Sequence, residues 1–238
     1  IVPWFGKAQL TCEFLESFAK YRLEEMRLIL VDNGSVAHEV AEVGAALHTL
    51  EIPALQVRLS ENTGFVRGTN AGLAVSTAPF VLLQNNDTRV YEGTYLRLLA
   101  ALLSSDKIGI AGPVASECSS WQSIQQLYKE KPFVDALQSD EILTAASEDR
   151  PRILASRLGG IRRQVGNMVA FFCTLIRREV INKIGYLSND YGQGFADDDD
   201  YCARARRAGF EIVLACDSYV HHHHRSTWNA IYTPQQIT

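Results

Sequence analysis

Four consecutive aspartates, Asp197–Asp200, form the segment of this chain best suited to chemistry. They stand directly before the amphipathic run 201–210, which predicts a helix. Adjacent like charges repel, but the positive end of a helix dipole favours carboxylates in its first turn. Such a carboxylate can hold a cation or act as a general base. The alternative is a solvated acidic turn that only caps the helix.

Asp87 is a second candidate, because it closely follows the apolar run Phe80–Leu83, which predicts a buried strand. A carboxylate at a strand end is held rigidly, and hard cations such as Mg²⁺ or Mn²⁺ prefer oxygen ligands. One histidine of the run His221–His224 could complete such a site. An Asx turn with a helix cap explains Asp87 equally well.

Asp32 has the same setting, because it ends the apolar run Arg27–Val31 and is followed by Asn33-Gly34-Ser35. A carboxylate there could accept hydrogen bonds from a base or a ribose. A simple turn is the alternative, since Asp and Asn beside Gly are common in turns.

Alternating strands and helices must position these side chains. Strands are predicted at 1–3, 27–31, 55–59, 80–83 and 108–111, and helices at 10–21, 36–50, 70–75 and 95–103. This alternation indicates βαβ units and a mainly parallel sheet. Ligands bind at the carboxyl ends of strands in such sheets, so the turns at Asp32, Glu61 and Asn85 should line one crevice.

The second half begins with an irregular, polar stretch, 115–165, which contains five arginines between 150 and 163. Regularity returns with a predicted strand at 169–176, a helix at 178–184, the helix after the acidic run and a strand at 211–215. The arginines could bind an anionic acceptor or anionic lipid, or form a solvated face. No repeat or low-complexity linker divides the chain, so we expect one domain over 1–238.

Composition limits the possible functions. The 238 residues are 47% hydrophobic and 21% charged, with a net charge of −4, which makes a nucleic-acid binder driven by bulk charge improbable. No apolar stretch reaches the roughly 18 residues of a membrane-spanning helix. Five scattered cysteines predict reduced thiols in the cytoplasm. The chain starts at Ile1 without a methionine, so we expect a fragment of a longer protein.

Together these motifs resemble family 2 glycosyltransferases of the GT-A fold, particularly rhamnosyltransferase-like members that build O-antigen or other cell-surface glycans. The resemblance covers nearly the whole chain. It rests on motifs at 1–3, 31–35, 61–72, 84–88, 192–202 and 220–222. The family pattern near the acidic run is Glu-Asp-x-Asp, and Asp197 stands here in place of that Glu.

The resemblance implies an α/β GT-A fold: a Rossmann-like, mainly parallel central sheet flanked by helices, with a small antiparallel extension in the C-terminal half. Residues 1–114 would bind the nucleotide sugar and 115–238 the acceptor. It also implies metal-dependent, inverting transfer from a UDP-, dTDP- or GDP-sugar to a glycan or lipid-linked hydroxyl, in polysaccharide or cell-wall biosynthesis. Such an enzyme would work in the cytoplasm, with peripheral association at the inner face of the plasma membrane.

The resemblance assigns roles to residues by their motif positions. Asp198 matches the catalytic base, with Asp197 beside it, and Asp87 and His222 match metal or pyrophosphate contacts. The residues expected to contact the nucleotide sugar are Pro3, Asp32, Asn62, Gly64, Arg67, Asn70, Asn85 and Asn86. Two alternatives stay open, namely a nucleotidyltransferase of related architecture and a non-catalytic module that kept the fold.

Overall fold

The computed structural model describes residues 1–118, 120–131, 133–137, 141–191 and 196–223. Its strands are β1 Val2–Trp4, β2 Leu28–Asp32, β3 Ala54–Arg58, β4 Phe80–Gln84, β5 Thr88–Val90, β6 Ile108–Ala115, β7 Arg162–Gln164, β8 Cys173–Arg177 and β9 Glu211–His222. Its helices are α1 Ala8–Tyr21, α2 Ala37–Thr49, α3 Gly64–Val75, α4 Thr94–Leu103, α5 Ile124–Leu127, α6 Phe133–Leu137, α7 Glu141–Thr144, α8 Arg150–Leu158, α9 Arg178–Ile184 and α10 Asp197–Arg207. A 3₁₀ turn covers Asn189–Tyr191.

The first three strands form a parallel sheet in the order β1-β2-β3. Two hydrogen bonds join β1 to β4, since the Ile1 amino group donates to the Leu82 carbonyl (2.7 Å) and the Gln84 amide donates to the Ile1 carbonyl (3.0 Å). The carboxyl ends of β1, β2 and β4 therefore lie along one edge, where the polar turns were expected.

The second sheet is mixed and has the order β4-β8-β6-β9-β5, with β7 also paired to β9. Only β6 and β9 pair in parallel there, because β8 runs antiparallel to both β4 and β6. The predicted α/β GT-A architecture is confirmed. Antiparallel pairing is nevertheless not confined to a C-terminal extension, because β8 carries it into the centre of the sheet.

Three details differ from the sequence prediction. The strand expected at 169–176 begins only at Cys173, because Phe171 and Phe172 turn to pack against neighbouring rings. The strand expected at 211–215 continues to His222 through an irregularity in its register with β6. The short strands β5 and β7 were not predicted, since three polar or mixed residues carry no clear periodicity.

Helices cover both faces of the sheet, and each face has its own apolar cluster. One cluster contains side chains of α1, α2 and α4: Phe14, Leu15, Phe18, Val43, Leu47, Leu98 and Leu102. The other contains side chains of α3, α8, α9 and α10: Val66, Leu73, Leu154, Leu158, Val180, Ile181 and Tyr201. The helices thereby fix the strand ends on which the polar site is built. No helix of the described residues could cross a membrane.

The region 115–165 contains α5 to α8 and β7, and it uses two of its five arginines for packing. Arg150 donates to the Tyr219 hydroxyl (3.3 Å), and Arg163 pairs with Glu130 at 2.8 Å while its guanidinium lies over the Trp121 ring. The remaining arginines are exposed: Arg152, Arg157 and Arg162. Only these three present their charge to solvent.

Candidate active site

Asp87 and His222 meet at the carboxyl end of the sheet. Asp87 follows β4 and is 5% exposed, and its Oδ1 lies 3.4 Å from Nε2 of His222 at the end of β9. The ring of Phe172 stacks on the imidazole with centroids 5.0 Å apart. Burial alone raises the pKa of Asp87, but its contact with His222 outweighs burial, so the net direction is down. The carboxylate is therefore ionised at neutral pH.

His222 is oriented by its second ring nitrogen. Nδ1 lies 3.2 Å from the Glu117 carbonyl oxygen, which can only accept a hydrogen bond, so Nδ1 carries the proton. The other ring nitrogen, Nε2, is thereby directed at Oδ1 of Asp87. A backbone carbonyl fixing the tautomer of a ligating histidine is a common arrangement at metal centres.

This corner fits a divalent cation. No hydrogen bond reaches Oδ1 of Asp87 from the described residues, and Oδ1 of the neighbouring Asn85 is likewise buried without one. Two ligands at right angles and about 2.1 Å from a cation lie about 3 Å apart, close to the Asp87–His222 distance. Among the described residues, no group of three or more His, Cys, Asp and Glu side chains could hold a metal. The protein side would supply few ligands and leave room for phosphate oxygens.

Asn86 points away from this corner. Its side chain is buried, and Nδ2 donates to the Thr11 hydroxyl of α1 (3.0 Å). In this arrangement it ties the strand end to α1, and its predicted contact with the nucleotide sugar stays a prediction.

Asp32 and the glycine-containing loop form a second polar corner, at the end of β2. Asp32 Oδ1 accepts from the Ser35 amide (2.7 Å), and Oδ2 lies 3.3 Å from Nε of Arg58. Oδ2 is buried and has no hydrogen-bond partner among the described residues. The Ser35 amide and Arg58 therefore hold the two oxygens of the carboxylate in place at the end of β2.

Asn33 organises the loop, although the sequence analysis treated it only as part of a turn. Its Nδ2 donates to Asn62 Oδ1 and to the Gly64 carbonyl, both at 3.0 Å. Its Oδ1 accepts from the amide (3.0 Å) and the hydroxyl (2.9 Å) of Thr63. Only the buried position of Asn33, directly after Asp32 at the end of β2, could have indicated that it organises the loop.

Gly34 in the turn after β2 has no room for a side chain, and Gly68 on α3 has little. Gly34 has φ +88°, and a Cβ there would lie 2.5 Å from the Glu61 carbonyl carbon. A Cβ on Gly68 would meet Pro3 Cβ at 3.3 Å, so the predicted residue Pro3 is buried against α3. Arg67 is exposed on the first turns of α3, free to reach a phosphate.

The acidic run opens α10, as expected, and its four carboxylates differ in environment. Asp200 pairs with Arg204 at 2.7 Å, Asp199 is exposed, and Asp197 is buried. The pKa of Asp198 is raised to about 6, first by burial and then by the neighbouring charge of Asp197. Burial is thus a larger cause of the raised pKa than repulsion between neighbouring carboxylates.

Helix α10 and the Asp87–His222 corner each contact one of two adjacent phenylalanine rings. Phe171 packs edge-on against Tyr201 of α10, with centroids 5.8 Å apart, and Phe172 stacks on His222. Because these phenylalanines are adjacent in sequence, Asp198 and Asp87 belong to the same end of the sheet. An ionised carboxylate and a carboxyl group with a raised pKa at one end of a sheet suit proton abstraction opposite a charged leaving group.

Other predicted residues lie away from Asp87, His222 and Asp198, or outside the described residues. Asn70 binds the backbone of Leu187 on both of its polar atoms. His221 and His223 face one another at 4.6 Å on the opposite side of β9 from His222. The flank 192–195 and His224 lie outside the described residues.

The family profile of glycosyl transferase family 2 matches residues 1–185. This chain belongs to that family. A sequence comparison with curated proteins finds no match.

Several solved structures have a similar fold. They include a mannosyltransferase of Pyrobaculum calidifontis in complex with GDP-Man and Mn²⁺ (TM-score 0.66, 16% identity, 96% of this chain and 58% of that one). GalNAc-T7 with UDP, GalNAc and Mn²⁺ gives a TM-score of 0.67 at 13% identity, covering 93% of this chain and 42% of that one. Staphylococcus aureus TarS 1–349 gives 0.61 at 18%, covering 96% and 61%. The family 2 chain thus spans about half the length of these relatives, and the likeness shows a common fold.

Proposed function

We propose that this chain transfers a sugar from a nucleoside-diphosphate sugar to an acceptor hydroxyl, with inversion at the anomeric carbon. The observation that carries the proposal is the pairing of two unlike carboxylates at one end of the sheet. Asp87 is ionised beside His222, whereas the pKa of Asp198 is raised to about 6. Environments that separate the pKa values of two acids are a mark of acid–base chemistry.

Each residue then has a chemical task. Asp198 takes the proton of the acceptor hydroxyl as its oxygen attacks the anomeric carbon. The bond from that carbon to the diphosphate oxygen breaks, and the nucleoside diphosphate leaves with the electron pair. A single displacement of this kind inverts the anomeric centre. Asp32 and the loop held by Asn33 would bind the nucleoside.

Asp87 and His222 would hold the divalent cation, with Asn85 Oδ1 nearby. When bound, Mn²⁺ or Mg²⁺ neutralises the negative charge that develops on the leaving diphosphate. We further propose that the chain is a single domain within a longer protein, which uses UDP-, dTDP- or GDP-sugars for polysaccharide or cell-wall synthesis at the cytoplasmic face of the membrane. The acceptor would be a glycan or a lipid-linked hydroxyl.

A nucleotide screen tests the proposal first. The melting temperature is measured with UDP, GDP, dTDP, ADP and CDP, each with and without Mn²⁺, because a ligand of the folded state raises it by mass action. We expect one nucleotide to stabilise the protein only with metal, and Asp87→Ala to lose that shift. Asp106→Ala, an exposed aspartate before β6, is the control and should keep it. The absence of any shift would instead favour the non-catalytic module.

A further inference from the structure

Four consecutive carbonyl groups after α9 each accept a hydrogen bond from a side chain. We call Ile184–Leu187 the bridging segment. Its donors are Arg204 Nη1 to Ile184 (2.7 Å), the Tyr201 hydroxyl to Gly185 (3.2 Å), Arg204 Nη2 to Tyr186 (3.0 Å) and Asn70 Nδ2 to Leu187 (2.9 Å). Three of these donors come from α10 and the fourth from α3. The bridging segment is therefore bonded to two helices that are far apart in sequence.

Asn70 closes this connection at two points. Besides donating to the Leu187 carbonyl, its Oδ1 accepts from the Leu187 amide at 3.1 Å. The side-chain amide thus pairs with the backbone of one residue as a neighbouring strand would, across 117 positions of sequence. Leu187 itself is 3% exposed, so its side chain anchors the segment in the core.

The two helices that meet here carry the two halves of the site. α3 begins at Gly64, where Asn33 holds the loop, and Asn70 lies less than two turns further along. α10 begins with Asp197 and Asp198, and its donors Tyr201 and Arg204 lie one and two turns further along. A rigid helix transmits the position of one turn to the next, so the bridging segment relates the nucleotide loop to the base.

We propose that Asn70 is a positioning residue that sets Asp198 relative to the donor-binding loop. The inference rests on the function proposed above. A general base must lie within about 2.6–3.2 Å of the proton that it removes. A misplacement of about 1 Å far from the chemistry can lower the rate about a hundredfold. Loss of Asn70 should therefore lower turnover while leaving the nucleotide loop, and hence donor affinity, in place.

Amide hydrogen exchange tests the connection without requiring turnover, because local opening sets exchange rates. Asn70→Ala should speed exchange of residues 197–202 about tenfold or more. The control is Asn182→Ala, the same change at an exposed asparagine of α9, which should match the wild type. If exchange over 197–202 in Asn70→Ala stays within about twofold of this control, the proposal is wrong. Should Asn70→Ala not fold, Asn70→Asp keeps the acceptor and loses the donor, and it should show the same direction.

Kinetics separate positioning from a merely structural bond. Hydrolysis of UDP-glucose, UDP-N-acetylglucosamine and GDP-mannose is followed by release of the nucleoside diphosphate, with water as acceptor and Mn²⁺ present. We expect Asn70→Ala to lower kcat about tenfold to a hundredfold and to change the donor Kd less than about twofold. Its acidic pH limb should also move down, since a displaced Asp198 is better solvated. Weaker donor binding with unchanged kcat would overturn the proposal.

The two arms distinguish failure of this inference from failure of the proposed function. If the wild type binds no nucleotide and hydrolyses no donor, the proposed function fails. The hydrogen-exchange comparison of Asn70→Ala with Asn182→Ala then still decides whether Asn70 stabilises the start of α10.

Discussion

Replacing Asp198 by asparagine should stabilise the protein at neutral pH while removing the proposed catalytic base. The folded protein raises the pKa of this carboxyl from 3.8 to about 6, mainly by burial. Between these pH values the unfolded chain is ionised while the folded chain keeps the proton. The native state therefore binds more protons, and stability falls as pH rises through this window.

The magnitude follows from the two pKa values. A pKa difference of about 2 corresponds to about 3 kcal/mol, because each unit of pKa shift is worth 1.36 kcal/mol. Asp198 is only partly buried, so solvent screening reduces the expected gain to about 1–2 kcal/mol. Asparagine has nearly the same shape and no charge to desolvate. The stabilising effect of D198N should be about 0.5 kcal/mol or less at pH 4 and nearly complete above about pH 6.5.

Urea unfolding at pH 4, 5.5 and 7.5 measures this effect, because the midpoint and slope give the free energy of unfolding. Asp199→Asn is the matched control, since it removes a neighbouring but exposed carboxylate from the same helical turn. That control should not gain stability, because it relieves little desolvation and loses a favourable dipole interaction. The reasoning is refuted if D198N is no more stable than the wild type at pH 7.5. An equal gain at pH 4 and 7.5 would refute it as well.

Two further substitutions test other parts of the structure. Arg163→Ala should cost about 1–2 kcal/mol of stability in urea unfolding, because it breaks the pair with Glu130 and the contact with Trp121. The control Arg162→Ala should have a free energy of unfolding within about 0.5 kcal/mol of the wild type. A rise in acceptor KM in Arg162→Ala alone would support binding of an anionic acceptor by these arginines. Gly34→Ala should cost about 2–3 kcal/mol by the same assay, since both its φ and its space exclude a Cβ; an unchanged midpoint would contradict this account.

Much of the fold could be predicted because the parallel strands are short apolar runs with helices between them. The helix over 178–184 was predicted with its observed bounds. The strand start at 169 was wrong, since an apolar run does not show that Phe171 and Phe172 leave the sheet to contact Tyr201 and His222. Their partners lie about 30 and 50 residues further along the chain, and periodicity contains no information about such distant contacts.

Individual site residues show the same limit. The position of Asp87 after a strand correctly indicated a rigid carboxylate at the edge of the sheet, because strand ends are readable in sequence. Asn86 and Asn70 have the same side chain and were both expected to contact the nucleotide sugar, yet one binds Thr11 and the other binds Leu187. Which hydrogen-bond partner an asparagine finds depends on tertiary packing, so neither role could be read from the residue type.

The acidic run shows why four carboxylates are tolerated at one helix start. Arg204 neutralises Asp200, solvent screens Asp199, and the helix dipole favours negative charge throughout the first turn. These compensations stabilise α10 even though Asp198 is ionised only at a free-energy cost. The cost falls on Asp198, whose raised pKa makes it a stronger base. A sequence that lowered the free-energy cost of ionising Asp198 would give a more stable helix and a weaker base. At Asp198, therefore, stability and the proposed activity are opposed.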